Sequence, residues 1–114
     1  MAYYQDKIVG CIIGSYDTVN PKKAYIAMLV VLKEYRRLRV GRKLFAEFYS
    51  RVQKNGATKI VLETECINVA AQKFYETLGF FKTRRMLNYY LSGNDAFRLK
   101  LYIESNAEDN HKKQ

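Results

Sequence analysis

Histidine, cysteine and proline are scarce in this chain of 114 residues, and tryptophan is absent. The single histidine, His111, lies in the polar C-terminal segment "ESNAEDNHKKQ". A Ser-His-Asp triad, a Cys-His pair or a histidine-based zinc site would need a histidine in the folded part of the chain. The two cysteines, Cys11 and Cys66, lack the spacing of metal ligands, and we expect both to be free and half-buried. Any chemistry must therefore rest on other residue types.

Long hydrophobic runs are also missing. The longest, "YIAMLVVL", stops at Lys33 and is too short to cross a bilayer as a helix. The first ten residues, "MAYYQDKIVG", lack the basic, apolar and small-residue order of a secretion signal. We therefore expect a cytoplasmic protein without a membrane partner.

Acidic residues are few relative to basic ones. The net charge is +9, and residues 33–43 hold six basic groups and one acid. Such a surface favours polyanions, which include nucleic acid, a ribosome, an anionic membrane or a phosphorylated cofactor, and charge alone does not choose among them. The length predicts a single domain, which we assign to residues 1–103, followed by a polar disordered tail at 104–114.

The apolar pattern predicts an α/β (α+β) fold with the order β-β-α-β-α-β-β. Apolar runs and turn signals indicate strands over 7–16, 24–31, 58–64, 80–92 and 96–104. Val40, Leu44, Phe48 and Val52 recur every four residues and predict a helix over 40–55. Asn68 is expected to cap a second helix that Gly79 ends. The segment 24–64 fits a crossover between two parallel strands, with antiparallel strands on both sides.

The basic segment "YRRLRVGRKL", residues 35–44, lies between a buried strand and a helix. A helix N-terminus carries unpaired N–H groups and binds phosphate readily. Arginines at this end oppose the helix dipole unless an anion offsets them. A solvated surface remains the alternative, but the opposition to the dipole favours a phosphate ligand.

Two segments carry a resemblance to a known family. "MLVVLKEYRRLRVGRKL" and "VLETECINVAAQKFYETLGF" resemble the Gcn5-related N-acetyltransferases (GNAT), and "NYYLSGNDAFRLKLYI" is similar to the NatC type of catalytic subunit within them. The resemblance covers roughly residues 8–103. It implies a GNAT-like mixed, mostly antiparallel sheet with a central parallel pair, and acetyl-CoA as cosubstrate without a metal.

Two departures from the family pattern stand out. The first glycine of the family's acetyl-CoA motif, Arg/Gln-x-x-Gly-x-Gly/Ala, falls on Arg39. An arginine would be strained there if the backbone needs a positive φ, although its side chain could add a phosphate contact. Relatives also begin with a strand and one or two helices before the hairpin, and we expect this chain to lack them.

The resemblance assigns a cofactor site to two segments and a cap. Leu29, Val30 and Val31 match the strand whose backbone binds pantetheine. The residues that match the pyrophosphate turn are Arg36, Arg37, Arg39, Val40, Gly41 and Arg42. Asn68 matches a residue near the cofactor, although its capping role already explains it.

The resemblance also assigns catalytic residues. Tyr75 matches a helix tyrosine near the sulfur, where its hydroxyl could protonate the departing thiolate. Its alternative role is that of a core tyrosine, and the two roles are compatible. Glu63 resembles the general base of this subfamily. Glu65 faces the same side of an extended strand, and we rank Glu63 first.

Tyr89 and Tyr90 match tyrosines that contact the bound peptide, and Met28 could line the same groove. Packing roles are the alternative for all three. The resemblance thus implies N-terminal acetylation of an initiator methionine followed by a bulky apolar residue, with auxiliary NatC-type subunits near the ribosome and nucleic acid only as part of that ribosome. The alternatives are a degenerate acetyltransferase that binds CoA or a partner without turnover, and a basic nucleic-acid-binding module.

Overall fold

A computed structural model of the protein describes residues 2–4, 7–17, 19, 22–90 and 93–104. Six strands form one sheet in the order β1-β2-β3-β4-β6-β5, in which only the β3–β4 pair is parallel. The strands are β1 (Ala2–Tyr4), β2 (Lys7–Tyr16), β3 (Lys23–Val31), β4 (Lys59–Glu65), β5 (Phe81–Met86) and β6 (Ala96–Tyr102). Helix α1 (Val40–Lys54) links β3 to β4, and α2 (Val69–Thr77) links β4 to β5.

The predicted fold class and the parallel crossover are confirmed. The sequence did not predict β1 or the 3-10 helix Lys33–Leu38 that precedes α1. The predicted strand over 80–92 is wrong beyond Met86, because a turn follows and Asn88 has a φ of 51°. Tyr89 and Tyr90 therefore lie in the β5–β6 loop. The expected tail lies outside the described residues from position 105 onward, and so does His111.

Both helices lie on the same face of the sheet. Leu44 and Val52 of α1 are buried, as the four-residue repeat predicts, and Phe45 beside them is buried as well. The Phe80 ring lies 5.6 Å from the Phe45 ring and 5.6 Å from the Tyr75 ring of α2. These side chains pack with Ile60, Leu62 and Leu99 of the central strands into one core. We call this side of the sheet the helix face and the opposite side the open face.

A β-bulge at Ala27 reverses the side-chain alternation of β3. Met28 pairs with Ile13 and Ile26 pairs with Gly14, which leaves Ala27 without a partner in β2. Ala24 and Ile26 are buried on the helix face, and beyond the bulge Leu29 packs against the same core. The bulge thus turns Met28 and Val30 to the open face, where 43% and 41% of their surfaces are exposed.

The parallel strands β3 and β4 separate soon after they begin. They pair only at Lys23, Ala24 and Tyr25 of β3, although both strands continue for several residues. Beyond that point β3 pairs with β2 and β4 pairs with β6. The sheet is therefore open between the C-terminal ends of its two central strands. No helix in the described part of the chain is long and apolar enough to span a membrane.

Candidate functional site

A cleft of about 490 Å³ lies where β3 and β4 separate. Its walls come from the end of β3, the start of α1 and the first turns of α2. The lining residues are Leu29, Val30, Val31, Arg36, Arg39, Gly41, Arg42, Asn68, Ala70, Ala71, Phe74 and Tyr75. Nine of these were candidates from the sequence, so folding brings the two separate segments of the resemblance together.

The edge of β3 supplies backbone hydrogen-bonding groups to this cleft. Leu32 donates its N–H to the Val9 carbonyl of β2 at 2.8 Å, so alternation directs the N–H and C=O groups of Leu29 and Val31 away from β2. The Val31 carbonyl accepts a hydrogen bond from Arg36 Nε at 3.1 Å. Because β4 has diverged, this edge can pair with an extended ligand.

The N-terminus of α1 faces the same cleft. Its first turn contains no acidic residue, and the N–H groups of Val40, Gly41 and Arg42 precede the first partner available inside the helix. The three ion pairs found among the described residues involve none of Arg36, Arg39 and Arg42. Positive charge and free N–H groups thus converge where an anion would be stabilised.

Arg39 occupies the left-handed region of backbone space, with φ 60° and ψ 25°. This residue ends the 3-10 helix and precedes α1. The strain expected for an arginine at the family's glycine position is therefore present. The arginine side chain is exposed and lines the cleft. Compared with the glycine of the family motif, arginine is less stable in this backbone conformation but adds a positive charge to the cleft.

Gly41 has a packing role that the sequence did not predict. A Cβ atom there would lie 3.2 Å from Cζ of Phe74, so the glycine lets α2 approach the start of α1 closely. Phe74 is a lining residue that sequence reasoning missed, and its place next to Tyr75 was the only signal. Val40 belongs to the helix start without lining the cleft. The side chain of Arg37 lies outside what the structure describes.

Asn68 and Gln72 hold the start of α2. Asn68 Oδ1 accepts the Ala71 N–H at 3.1 Å, which confirms the predicted cap. The buried Gln72 donates through Nε2 to the carbonyls of Glu65 and Cys66, at 3.1 and 2.9 Å. These bonds join the end of β4 to α2 and fix the wall of the cleft that carries Asn68.

Tyr75 lies between the cleft and the core. Its ring packs against the Phe80 ring in the core, which agrees with its alternative role as a core tyrosine, and it also lines the cleft. Burial raises the pKa of its hydroxyl, and nearby Tyr90 raises this pKa further. The hydroxyl therefore keeps its proton throughout the neutral range and can serve as a hydrogen-bond donor or acid.

Glu63 lies on the open face of β4 and not in the cleft lining. Its Oε2 accepts from Arg98 Nε at 3.3 Å, and its Oε1 accepts from the Tyr89 hydroxyl at 3.4 Å. Glu65 instead accepts from Asn94 Nδ2 at 3.1 Å. The two carboxylates therefore have different partners, which the sequence alone did not separate. Arg98 and Asn94 were not candidates, because their pairing depends on the β4–β6 register.

Asp95 organises the loop that carries both tyrosines. Its Oδ1 accepts the Asn88 N–H at 2.9 Å, and its Oδ2 accepts from Arg85 Nη2 at 2.7 Å. The Asn88 N–H and then the Arg85 guanidinium hold the pKa of the Asp95 carboxyl below its usual value. The loop conformation is therefore fixed by a side chain outside the tyrosine pair.

Tyr90 packs against Tyr89 in the β5–β6 loop. Its ring lies 5.2 Å from that of Tyr89 in an edge-to-face arrangement. Burial raises the pKa of Tyr90 most, and the charges of Glu65, Tyr89 and Glu63 raise it further. Tyr90 in turn raises the pKa of Tyr75 in the cleft. Met28 lies on the open face, on the other side of the opening from Glu63.

Comparison with known proteins gives the family. The sequence model of the acetyltransferase (GNAT) family matches residues 1–80. The chain is 42% identical over 104 residues to N-alpha-acetyltransferase 30 of Schizosaccharomyces pombe, covering 90% of this chain and 69% of that protein. It is 38% identical over 105 residues to N-alpha-acetyltransferase 30 of Homo sapiens, again over 90% of this chain. The chain spans only 29% of the length of the human protein.

A solved structure, that of the NatC complex bound to Gag peptide and CoA, contains a similar chain. The similarity has a TM-score of 0.81 and 35% sequence identity, and it covers 90% of this chain and 66% of that chain. The matched family region includes β3, the basic segment 35–44, α1, β4 and α2, which together build the cleft. The chain therefore belongs to the acetyltransferase (GNAT) family.

Proposed function

We propose that this chain is an N-terminal acetyltransferase that moves an acetyl group from acetyl-CoA to the α-amino group of a protein. The observation that carries the proposal is the opening between β3 and β4, which joins the anion-binding cleft on the helix face to Glu63 and Tyr89 on the open face. Two substrates can reach such an opening from opposite sides of one sheet.

The cleft fits a phosphorylated, extended cosubstrate. The edge of β3 offers the N–H groups of Leu29 and Val31 and the Leu29 carbonyl to an amide-containing arm, in the way that a strand accepts another strand. Arg36, Arg39, Arg42 and the N–H groups at the start of α1 would hold the phosphates. The related NatC structure contains CoA, which supports the same ligand here.

The reaction needs a base and an acid, and the site contains a candidate for each. Glu63 would receive a proton from the substrate ammonium group through water. The amine nitrogen then forms a bond to the thioester carbonyl carbon, and the carbon–sulfur bond breaks. Tyr75, which remains protonated at neutral pH, would donate a proton to the departing sulfur. The second proton of the attacking nitrogen would return to the Tyr75 oxygen through water, and Glu63 would release its proton to solvent. Acetyl-CoA supplies the activated acetyl group, and CoA leaves as the free thiol.

The open face would receive the peptide. Met28 and Tyr89 are 43% and 48% exposed, and they flank the opening with apolar surface suited to an initiator methionine and a bulky second residue. The ring of Tyr90 would pack against the ring of Tyr89 and hold it in place. We further propose cytoplasmic action on nascent chains near the ribosome with NatC-type auxiliary subunits, which the relationship to the NatC structure favours.

Acetyl-CoA binding and turnover test this function in two steps. Calorimetric titration with acetyl-CoA should show saturable binding, and Arg36→Gln with Arg42→Gln should weaken it at least tenfold. Arg51→Gln with Lys54→Gln, two exposed changes at the far end of α1, removes the same charge and is the matched control. Release of free thiol with a Met-Leu peptide should exceed release with a Ser-starting peptide.

Two substitutions test the assigned chemistry. Tyr75→Phe and Glu63→Gln should each lower kcat by about 100-fold or more, and each should leave the dissociation constant for acetyl-CoA within about twofold. Acetyl-CoA binding without turnover on any peptide would favour the degenerate acetyltransferase. Absence of acetyl-CoA binding would overturn the proposal.

A further inference from the structure

The end of the open face that is farthest from the cleft carries basic and aromatic side chains together. We call this the basic sheet face and define it by Lys23, Tyr25, Lys59, Phe81, Lys100 and Tyr102. Register and alternation place all six on the same side of the sheet: Lys23 pairs with Lys59, Lys59 with Tyr102, and Lys100 with Phe81. Neither the cleft nor the Glu63 cluster includes any of them.

Tyr102 is the centre of this surface. It is 62% exposed, its ring lies 5.9 Å from the Phe81 ring, and Lys100 Nζ lies 5.8 Å from its ring centroid. Phe81 is itself 44% exposed. Two aromatic rings thus face solvent beside cations.

The acidic groups of the described residues lie at the margins of the surface. Glu63 is already paired with Arg98 at the opposite end of the strands, and Glu104 lies beyond the end of β6. Asp17 lies at the β2–β3 hairpin beside Lys23, and its Oδ1 accepts the Val19 N–H at 2.8 Å. The centre is formed by Lys59, Lys100 and the two rings, and neither lysine has an ion-pair partner in the part of the chain that the structure describes.

We propose that the basic sheet face binds single-stranded RNA. Lysines neutralise phosphates, and exposed rings on a sheet stack with unpaired bases, a combination that serves single-stranded nucleic acids of varied sequence. An acidic protein segment would use the lysines but would gain little from two exposed rings flanked by cations. The proposal is independent of the acetyltransferase function, because it uses none of the residues of that site.

Fluorescence anisotropy with a labelled 20-nucleotide oligouridine tests this proposal on the full chain. We expect RNA affinity to fall steeply as the salt concentration rises. Lys59→Gln with Lys100→Gln should weaken binding at least tenfold. It should also reduce the slope of log affinity against log salt concentration by about 1.4, since each phosphate contact contributes about 0.7 for single strands. Tyr102→Ala should weaken binding about tenfold, in keeping with the loss of one stacked base. Thermal melts followed by circular dichroism would verify folding.

Two matched variants locate the surface. Arg51→Gln with Lys54→Gln removes the same charge from the end of α1 and should leave RNA affinity within about twofold. Arg36→Gln with Arg42→Gln removes the same charge from the cleft and should also leave RNA affinity within about twofold. Equal losses in all three double variants would overturn the proposal, since binding would then follow net charge alone. The proposal would also be overturned by absent RNA binding, or by equal capture of polyglutamate or of vesicles containing phosphatidylserine.

Discussion

At the scale of single residues, Arg39 shows how a sequence departure becomes a physical cost. A residue with a Cβ atom loses roughly 1–2 kcal/mol in the left-handed conformation that Arg39 adopts. Its charge also opposes the dipole at the start of α1. The sequence predicted this conflict from the family's glycine, but the φ of 60° had to come from the structure.

Replacing Arg39 with glycine should therefore stabilise the free protein. Relief of the backbone strain and removal of the charge together should raise the free energy of unfolding by about 1 kcal/mol after the greater freedom of glycine in the unfolded chain is included. Thermal denaturation should show a Tm increase of a few degrees. Arg39→Ala is the control, because it removes the charge and keeps Cβ. A Tm for the glycine variant no higher than that of the alanine variant would contradict the strain argument.

At the scale of elements, the β5–β6 loop depends on Asp95. The sequence predicted one continuous strand through Tyr89 and Tyr90, since the apolar and aromatic residues there fit an extended pattern. The carboxylate of Asp95 instead binds the Asn88 N–H, and this bond closes a turn seven residues earlier in the chain. A side-chain bond between residues seven positions apart leaves no periodic pattern in the sequence, so the end of β5 at Met86 could not be predicted.

Asp95→Asn should loosen this loop and leave the sheet intact. Because the folded-state pKa of Asp95 lies below its usual value of 3.8, its contribution is complete above that value and is lost as pH falls through the lowered pKa. Amide hydrogen exchange at Asn88 should therefore be faster in Asp95→Asn at neutral pH. In the natural chain, exchange corrected for intrinsic rate should accelerate only in acid. Glu76→Gln, which removes the exposed Lys82 pair at 4.0 Å, should leave Asn88 unchanged.

At the scale of the whole molecule, the sheet and helix layers approach each other closely at Gly14 of β2. The four-residue repeat predicted α1, and the continuous apolar runs predicted the central strands, because both signals arise from burial alone. The side-by-side approach of β2 and α1 was not predictable. A Cβ atom on Gly14 would lie 2.2 Å from Cε1 of Phe48 and 2.8 Å from the Tyr25 carbonyl oxygen.

Gly14→Ala should consequently destabilise the protein by about 1–3 kcal/mol, since the added methyl group has to displace a ring or a strand. Chemical denaturation should show a lower midpoint with an unchanged slope. Ser15→Ala is the matched control, because Ser15 is exposed on the open face and its change should fall within about 0.5 kcal/mol. A midpoint for Gly14→Ala equal to that of Ser15→Ala would contradict the close packing of the two layers.

The bulge at Ala27 also limits how the length of β3 can change. Strict alternation from Ile26 through the unshortened strand would place Met28 in the core and Leu29 on the open face, so the bulge is what keeps Leu29 buried. Deleting Ala27 removes the extra residue together with the bulge, and Met28 and Leu29 would keep their present faces. Deleting Ala27 alone should therefore be tolerated better than deleting Ala27 with Met28, after which Leu29 would leave the core.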